Sequence, residues 1–237
     1  MQNILEGNPN VLVLMDDILI HGENLSEHDA ILDQVLTRLR DEGVTLNKQK
    51  CQFAVKSVKY LGHIVSEEGI QPDPDKVQAI REFKTTENVP DVQQFLGMIN
   101  QLAKFVPHIA TITKPIRELL VKTNVWVWDH PQESAFQELK RIITSDMVLK
   151  QFQPEAETVV SSDASSVGLD GLLKQRQPDG TMAPIMFVSR ALTPTEQRYA
   201  TIEKEALAVT YAVEKFSQYL IGKDFHLRLT ISLWYLC

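Results

Sequence analysis

The stretch VLVLMDDILI, Val11 to Ile20, decides the fold of the first third of the chain. Two apolar, β-branched-rich runs flank an Asp-Asp pair, each long enough for a strand. They predict a hairpin of buried strands carrying Asp16 and Asp17 at its centre. Two ionised carboxylates in such a setting repel each other and lose hydration, at a cost of roughly several kcal/mol each unless a cation compensates. Mg2+ prefers oxygen ligands and often uses one or two carboxylates together with substrate phosphates. The competing reading is a polar hairpin turn, which the dipeptide alone favours.

Working outward, Ser26 with Asp29 resembles a capping box, and Ile31, Leu32, Val35, Leu36 and Leu39 recur at helical spacing up to a C-capping Gly43. Strand-like VTL (44–46) and SVKYLGHIVS (57–66) follow, so residues 1–71 read as ββαββ. Pro72 and Pro74 mark a boundary, because each removes a backbone donor and disfavours helix before it. Four helices are then predicted, in DKVQAIREF, VQQFLGMINQLAKF, ATITKPIRELL and ESAFQELKRIIT. Trp126 and Trp128 lie between the last two, at a spacing that points to packing. Beyond Glu157 the pattern returns to strands, in TVVSSDAS, GLLKQRQ and APIMFVSRAL, the last two joined by a Pro178-Asp179-Gly180 turn. A long helix starting at Thr193 or Thr195 and closed by Gly222, then the strand FHLRLTISL, completes an α/β module.

Composition narrows the function classes. With 43% hydrophobic residues the chain can build real cores, and its 2 cysteines, Cys51 and Cys237, cannot form a cysteine-based zinc site. No stretch reads as a membrane span or a signal peptide, and an intracellular location is expected. A net charge of -7 argues against nucleic acid as a partner when taken alone. The acid excess sits mainly in residues 1–84, yet Lys48, Lys50, Lys56 and Lys59 form a local basic run there.

A second set of acids stands out. Asp163 ends a β-branched strand, and Glu205 falls in line with Ala208 and Val209 on the apolar side of its helix. An acid on a buried stripe needs a reason, and a metal shared with Asp163 supplies one; the alternative is a turn cap and a rim residue. The 6 histidines show no ligand spacing, and nucleotide-loop, zinc-protease and nucleophile-elbow motifs are absent.

The string LMDD, Leu14 to Asp17, resembles the YxDD motif in the palm of reverse transcriptases, most closely those of gypsy-type LTR retrotransposons. LNKQKCQF resembles the segment after the palm helix, and VKYLGHIVSEEGIQPDPDKVQAI the primer-grip hairpin and its exit into the thumb. VQQFLGMINQLAKFVPHIATITKPIRELL and WDHPQESAFQELK are similar to the thumb and the link beyond it. SSDASSVGLDGLL, FVSRALTPTEQRYATIEKEALAV and YLIGKDF resemble the fused RNase H domain.

The resemblance implies an α+β architecture: a partial palm with an antiparallel sheet and packed helix (1–72), a helical thumb and link (73–153), and a truncated RNase H-like α/β domain with a mixed sheet (154–237). It implies RNA-directed DNA polymerase and ribonuclease H activities supported by Mg2+, acting on primer-template, dNTP and RNA–DNA hybrid in a Pol polyprotein located in the cytoplasm, the retrotransposon particle or the nucleus. By the same resemblance Asp16 and Asp17 are two of the palm's metal-holding acids, and Asp163 and Glu205 are the first two of the nuclease. Lys50 stands where the family places a lysine near the incoming nucleotide, and the run Lys48, Lys50, Lys56 and Lys59 becomes a phosphate-contacting face.

Departures accompany the match. Leu14 replaces the motif's tyrosine. Asp170 replaces a glycine of the DASxxGxG pattern and is expected to disturb its strand. The match begins at Met1, so the fingers and the third palm aspartate are expected to be missing. Leu229-Thr230-Ile231 stands where the family has a Thr-Asp-His continuation, so the third nuclease acid is expected to be missing too. An alternative to the enzyme is therefore a catalytically incomplete remnant that binds nucleic acid or has no activity.

Overall fold

The computed structural model describes residues 2–229, which form two compact units, one ending at Glu67 and the other beginning at Glu68. Residues 230–237, including the tail of the last expected strand and the SLWYLC terminus, lie outside the described residues.

In the first unit a short helix α1 (Gln2–Leu5) leads into a hairpin of β1 (Val11–Leu14) and β2 (Asp17–Ile20), paired antiparallel with Val11 opposite Ile20 and Leu14 opposite Asp17. Helix α2 (Leu25–Asp41) follows. Its cap lies earlier than the Ser26 capping box expected: the Asn24 side chain accepts from the Glu27 amide at 3.0 Å, while Glu27 accepts from the Glu23 amide at 2.8 Å. Asn is among the best N-caps, and the signal two residues downstream loses to it. Ile31, Val35 and Leu39 form the buried stripe of α2 and meet Leu5 and Val11, with Val13, Ile18 and Ile20 alongside. Gly43, at φ 68°, closes the helix as expected.

Two strand expectations are corrected here. Residues 44–46 carry no strand; that segment runs into a single 3-10 turn at Lys48–Lys50. SVKYLGHIVS is two strands, β3 (Ser57–Tyr60) and β4 (His63–Ser66), folded back through Leu61 and Gly62, which both adopt positive φ. A two-residue hairpin loop with both φ values positive matches the twist of its strands, and Gly62 supplies half of that at no steric cost.

The second unit starts with β5 (Gly69–Pro72), whose Ile70 exchanges two backbone hydrogen bonds with Leu149. Helices α3 (Pro74–Glu82), α4 (Val89–Gln101), α5 (Ile109–Ile112), α6 (Lys114–Glu118) and α7 (His130–Ile143) follow. Asp73, Asn88 and Asp129 cap α3, α4 and α7, each with a proline in the first turn, where a missing N–H costs nothing. The expected third helix is split in two at Thr113, beside Pro115. Phe95 and Phe136, 4.6 Å apart between ring centroids, sit at the centre of this core, and Trp126 and Trp128 pack against it as expected.

The rest of the unit is a four-stranded mixed sheet in the order β8-β7-β6-β9: β6 (Thr158–Ala164), β7 (Gly168–Arg176) and β8 (Met182–Ala191) are antiparallel, and β9 (His226–Leu229) runs parallel to β6. Helix α8 (Thr201–Lys215) covers one face, and a separate turn of helix, α9 (Ser217–Leu220), precedes Gly222. The helix starts later than Thr193 or Thr195, since residues 196–198 form only a 3-10 turn. Asp170 does not disturb β7, which is continuous through it; the irregularity falls at Leu173/Lys174. Among the described residues no helix is long and apolar enough to cross a membrane.

Helix α8 approaches the sheet at Gly171, where an added Cβ would lie 2.8 Å from Val188 Cγ2 and 2.9 Å from Ala212 Cβ. Neither neighbour is the free end of a flexible chain. Gly171→Val should therefore destabilise the protein by about 1–3 kcal/mol, read as a lower urea midpoint at unchanged slope.

Candidate nucleic-acid and metal site

The four-stranded sheet of the second unit positions its acids through strand register. Ser165 turns the chain from β6 into β7, its hydroxyl accepting from the Val167 and Gly168 amides at 3.2 and 2.8 Å. That turn sets Asp163 directly opposite Asp170. Cross-strand partners point to the same side of a sheet, so two carboxylates share one face. Glu205 reaches the end of β6 from α8, where the Ala164 amide donates to its carboxylate, while Oε2 is buried without a hydrogen-bond partner. Burial raises the Glu205 pKa, the negative charge of Asp163 raises it further, and the Ala164 hydrogen bond opposes both. The structure thus brings Asp163 and Glu205 together.

Asp16 and Asp17 lie elsewhere in character. Both are exposed, with Asp16 in the two-residue loop between Leu14 and Asp17 and Met15 at positive φ beside it. The desolvation argument made for a buried hairpin does not apply to them, since Leu12 and Leu14 are also half exposed. Asp17 is an electrostatic neighbour of Tyr60, whose hydroxyl pKa is raised by burial and then by the Asp17 charge. Among the described residues, no group of three or more His, Cys, Asp and Glu side chains is arranged to hold a metal ion. Lys48, Lys50, Lys56 and Lys59 are all at the surface of the first unit, interleaved with exposed Phe53 and Val55. Asn47 shapes the turn that carries the first two, accepting from the Gln49 amide at 3.0 Å.

Residues 1–65 match the reverse transcriptase (RNA-dependent DNA polymerase) family, and residues 128–227 match the RNase H-like domain found in reverse transcriptase. The chain is 37% identical over 228 residues to the retrovirus-related Pol polyprotein from transposon 297 of Drosophila melanogaster, covering 95% of this chain and 21% of that protein. The chain is thus similar to retrotransposon Pol polyproteins over nearly its whole length. The Tf2-3 transposon polyprotein of Schizosaccharomyces pombe is 31% identical over 211 residues, covering 89% of this chain and 16% of its own length. The chain therefore spans about a fifth of the length of these Pol relatives. Its fold is that of the foamy viral protease-reverse transcriptase, with a TM-score of 0.83 at 24% identity to the structures bound to double-stranded DNA and to an RNA/DNA hybrid, covering 97% of this chain and 40% and 31% of those chains. These similarities agree with the resemblance carried by LMDD and the RNase H-like motifs.

Two residues of this region escaped sequence reading. Asp170 was seen only as a strand defect and His108 only as one histidine among several, yet their side chains meet, with Nδ1 3.1 Å from Oδ2. A signal existed in Asp170 itself, since a carboxylate replacing glycine inside an apolar strand must find a partner.

The Glu205 shift gives a direct test. A pKa raised above its unfolded value near 4.5 means that the protonated form favours folding, and this contribution is lost as pH rises through the folded value. Glu205→Gln should therefore match the wild type in stability at pH values below about 4 and exceed it at neutral pH, read as urea midpoints across a pH series.

Proposed function

We propose that this chain is the nucleic-acid-handling reverse transcriptase and RNase H portion of a Pol polyprotein, with RNA–DNA hybrid, primer-template and dNTP as the substrates of the parent enzyme. Asp163 and Glu205 are the proposed Mg2+ ligands of the nuclease part, and Asp16 and Asp17 those of the polymerase part. The observation that carries the reading is the buried, unpartnered Glu205 Oε2 facing the charge of Asp163. An oxygen desolvated beside a second carboxylate is an unfavourable arrangement that a divalent cation converts into a favourable one. Two carboxylates fit the way Mg2+ binds when phosphate and water complete its shell. Bound there, the ion would polarise a phosphate oxygen and acidify a coordinated water.

The chain's own residues supply the rest. Strand β6 fixes Asp163, α8 carries Glu205 to it, and the Ala164 amide holds the Glu205 carboxylate in place. At the first unit, the exposed acids of the 16–17 bend stand ready for an ion brought with nucleotide phosphates. The four surface lysines are proposed to contact the phosphate backbone, with Lys50 nearest the nucleotide. The proposed division is palm to residue 72, thumb and link to 153, and RNase H-like domain beyond, in a protein acting in the cytoplasm, the retrotransposon particle or the nucleus.

A second reading, hybrid binding without turnover, is favoured by the absence of any three-residue metal group among the described residues. One experiment addresses both. Binding of a labelled RNA–DNA hybrid should weaken steeply with salt, and changing Lys48, Lys50, Lys56 and Lys59 together to Gln should reduce the slope of log K against log salt by up to about 4. Mg2+ should tighten binding to the wild type but not to Asp163→Asn or Glu205→Gln. Salt-insensitive or undetectable binding contradicts the nucleic-acid reading, and cleavage of the RNA strand by the wild type alone decides for the enzyme.

A further inference from the structure

His108 and Asp170 belong to different elements of the second unit, and neither is needed by the reading above. His108 precedes α5 with φ 52° and ψ 29°, a left-handed conformation unusual for a residue with a Cβ. Its ring is half exposed, but the Asp170 side chain it meets at 3.1 Å is only 8% exposed. Asp170 lies mid-strand in β7, between Asp163 on β6 and Ser189 on β8. The same turn makes two hydrogen bonds to the sheet. The Ala110 amide donates to Ser189 Oγ at 3.0 Å, and Thr111 Oγ1 shares a hydrogen bond with Ser165 Oγ at 3.0 Å. Gly168 leaves room for the approach, since a Cβ there would lie 3.1 Å from Ala110 Cβ.

We propose that the His108–Asp170 pair is a proton-dependent latch that holds the α5 turn on the RNase H-like sheet. Asp170 is buried beside Asp163 and neither of its oxygens accepts a well-aligned hydrogen bond; the protonated imidazole, with Nδ1 3.1 Å from Oδ2, supplies a compensating charge. When His108 loses its proton the buried carboxylate faces a neutral ring, and α5 is left to the two hydroxyl contacts and to the packing of Ile109 and Ile112 in the core that Phe187 also joins.

Among the described residues, the nearby cationic side chains are engaged elsewhere. On α7, Glu138 and Arg141 line the recess beside His108 but pair with each other at 2.7 Å. On α6, Arg117 is turned to the Ala110 carbonyl at 2.6 Å, and Lys114 lies 3.8 Å from Glu118. On β8, Arg190 is held by Glu196 at 2.8 Å, and Tyr211 on α8 is a neutral phenol that senses Asp170. Lys104, before α5, stacks over the Phe105 ring. The hydrogen bond to Asp170 is the largest influence raising the His108 pKa; burial opposes it, and the charges of Asp170 and Asp163 add to it. A folded-state value above the unfolded one near 6.5 makes the latch fully effective below that pH and lost as pH rises through the folded value.

The test uses the full chain, with NMR titration of His108 and amide exchange at Ala110, in the wild type, Asp170→Asn and His108→Asn. Asparagine at 108 removes the charge while tolerating the left-handed backbone. The wild-type Ala110 amide should lose protection as pH rises above about 6.5, beyond the intrinsic acceleration of exchange by base. Both variants should lack that pH-dependent loss, and the His108 midpoint should fall in Asp170→Asn. An unchanged His108 midpoint in Asp170→Asn overturns the latch, as does wild-type Ala110 protection that is flat with pH. Should Asp170→Asn fail to fold, the wild type against His108→Asn decides on exchange alone.

Discussion

Helix α8 lies against the sheet through residues with almost no side chain, and the Asp163–Glu205 site depends on that closeness. Gly171 on β7 faces Ala212 across a gap that admits no Cβ, and Ala208, one turn earlier, is fully buried beside Leu169 and Leu192. Glu205 comes one turn before Ala208 on the same side of the helix. The packing that removes water from the alanines therefore also carries a carboxylate to the end of β6. Burial of one oxygen and the neighbouring Asp163 charge both act on this group, and a raised pKa follows.

The first unit solves a different problem. Its acids ride on an exposed hairpin bend whose strands are only half covered. Lys48, Lys50, Lys56 and Lys59 are exposed as well, the first two on a 3-10 turn and Lys59 on β3. A site of this kind is completed by what binds to it. Phosphate-bearing ligands bring both the charge that lysines attract and the oxygens that a divalent ion requires.

Much of this was legible in the chain. Two apolar, β-branched-rich runs located the β1–β2 hairpin, helical spacing located α2, α4 and α7, and the strand–strand–strand–helix–strand order of the last module is as expected. Glu205 was picked out by its position on an apolar stripe, and its buried oxygen bears that placement out. What failed were local boundaries decided by tertiary or backbone effects. SVKYLGHIVS looks continuous because Leu61 is apolar, but a left-handed turn at Leu61-Gly62 breaks it. The α2 cap moved from Ser26 to Asn24 because two capping residues competed and only one could face the first turn. Burial of the Asp-Asp bend was inferred from its flanks, which turned out half exposed. The His108–Asp170 contact spans 62 residues of sequence, and no periodicity reaches that far.

The most direct test of the account is the titration of the Glu205 carboxyl carbon by NMR, with and without Mg2+, in the wild type and in Asp163→Asn. A midpoint above the ordinary glutamate value without the ion, lowered by Asp163→Asn and lowered again by Mg2+ in the wild type, is what a desolvated carboxylate poised for a cation must show. A midpoint at the ordinary value that neither Asp163→Asn nor Mg2+ moves would mean that Glu205 is simply a solvated rim residue, and the metal-site account would fail.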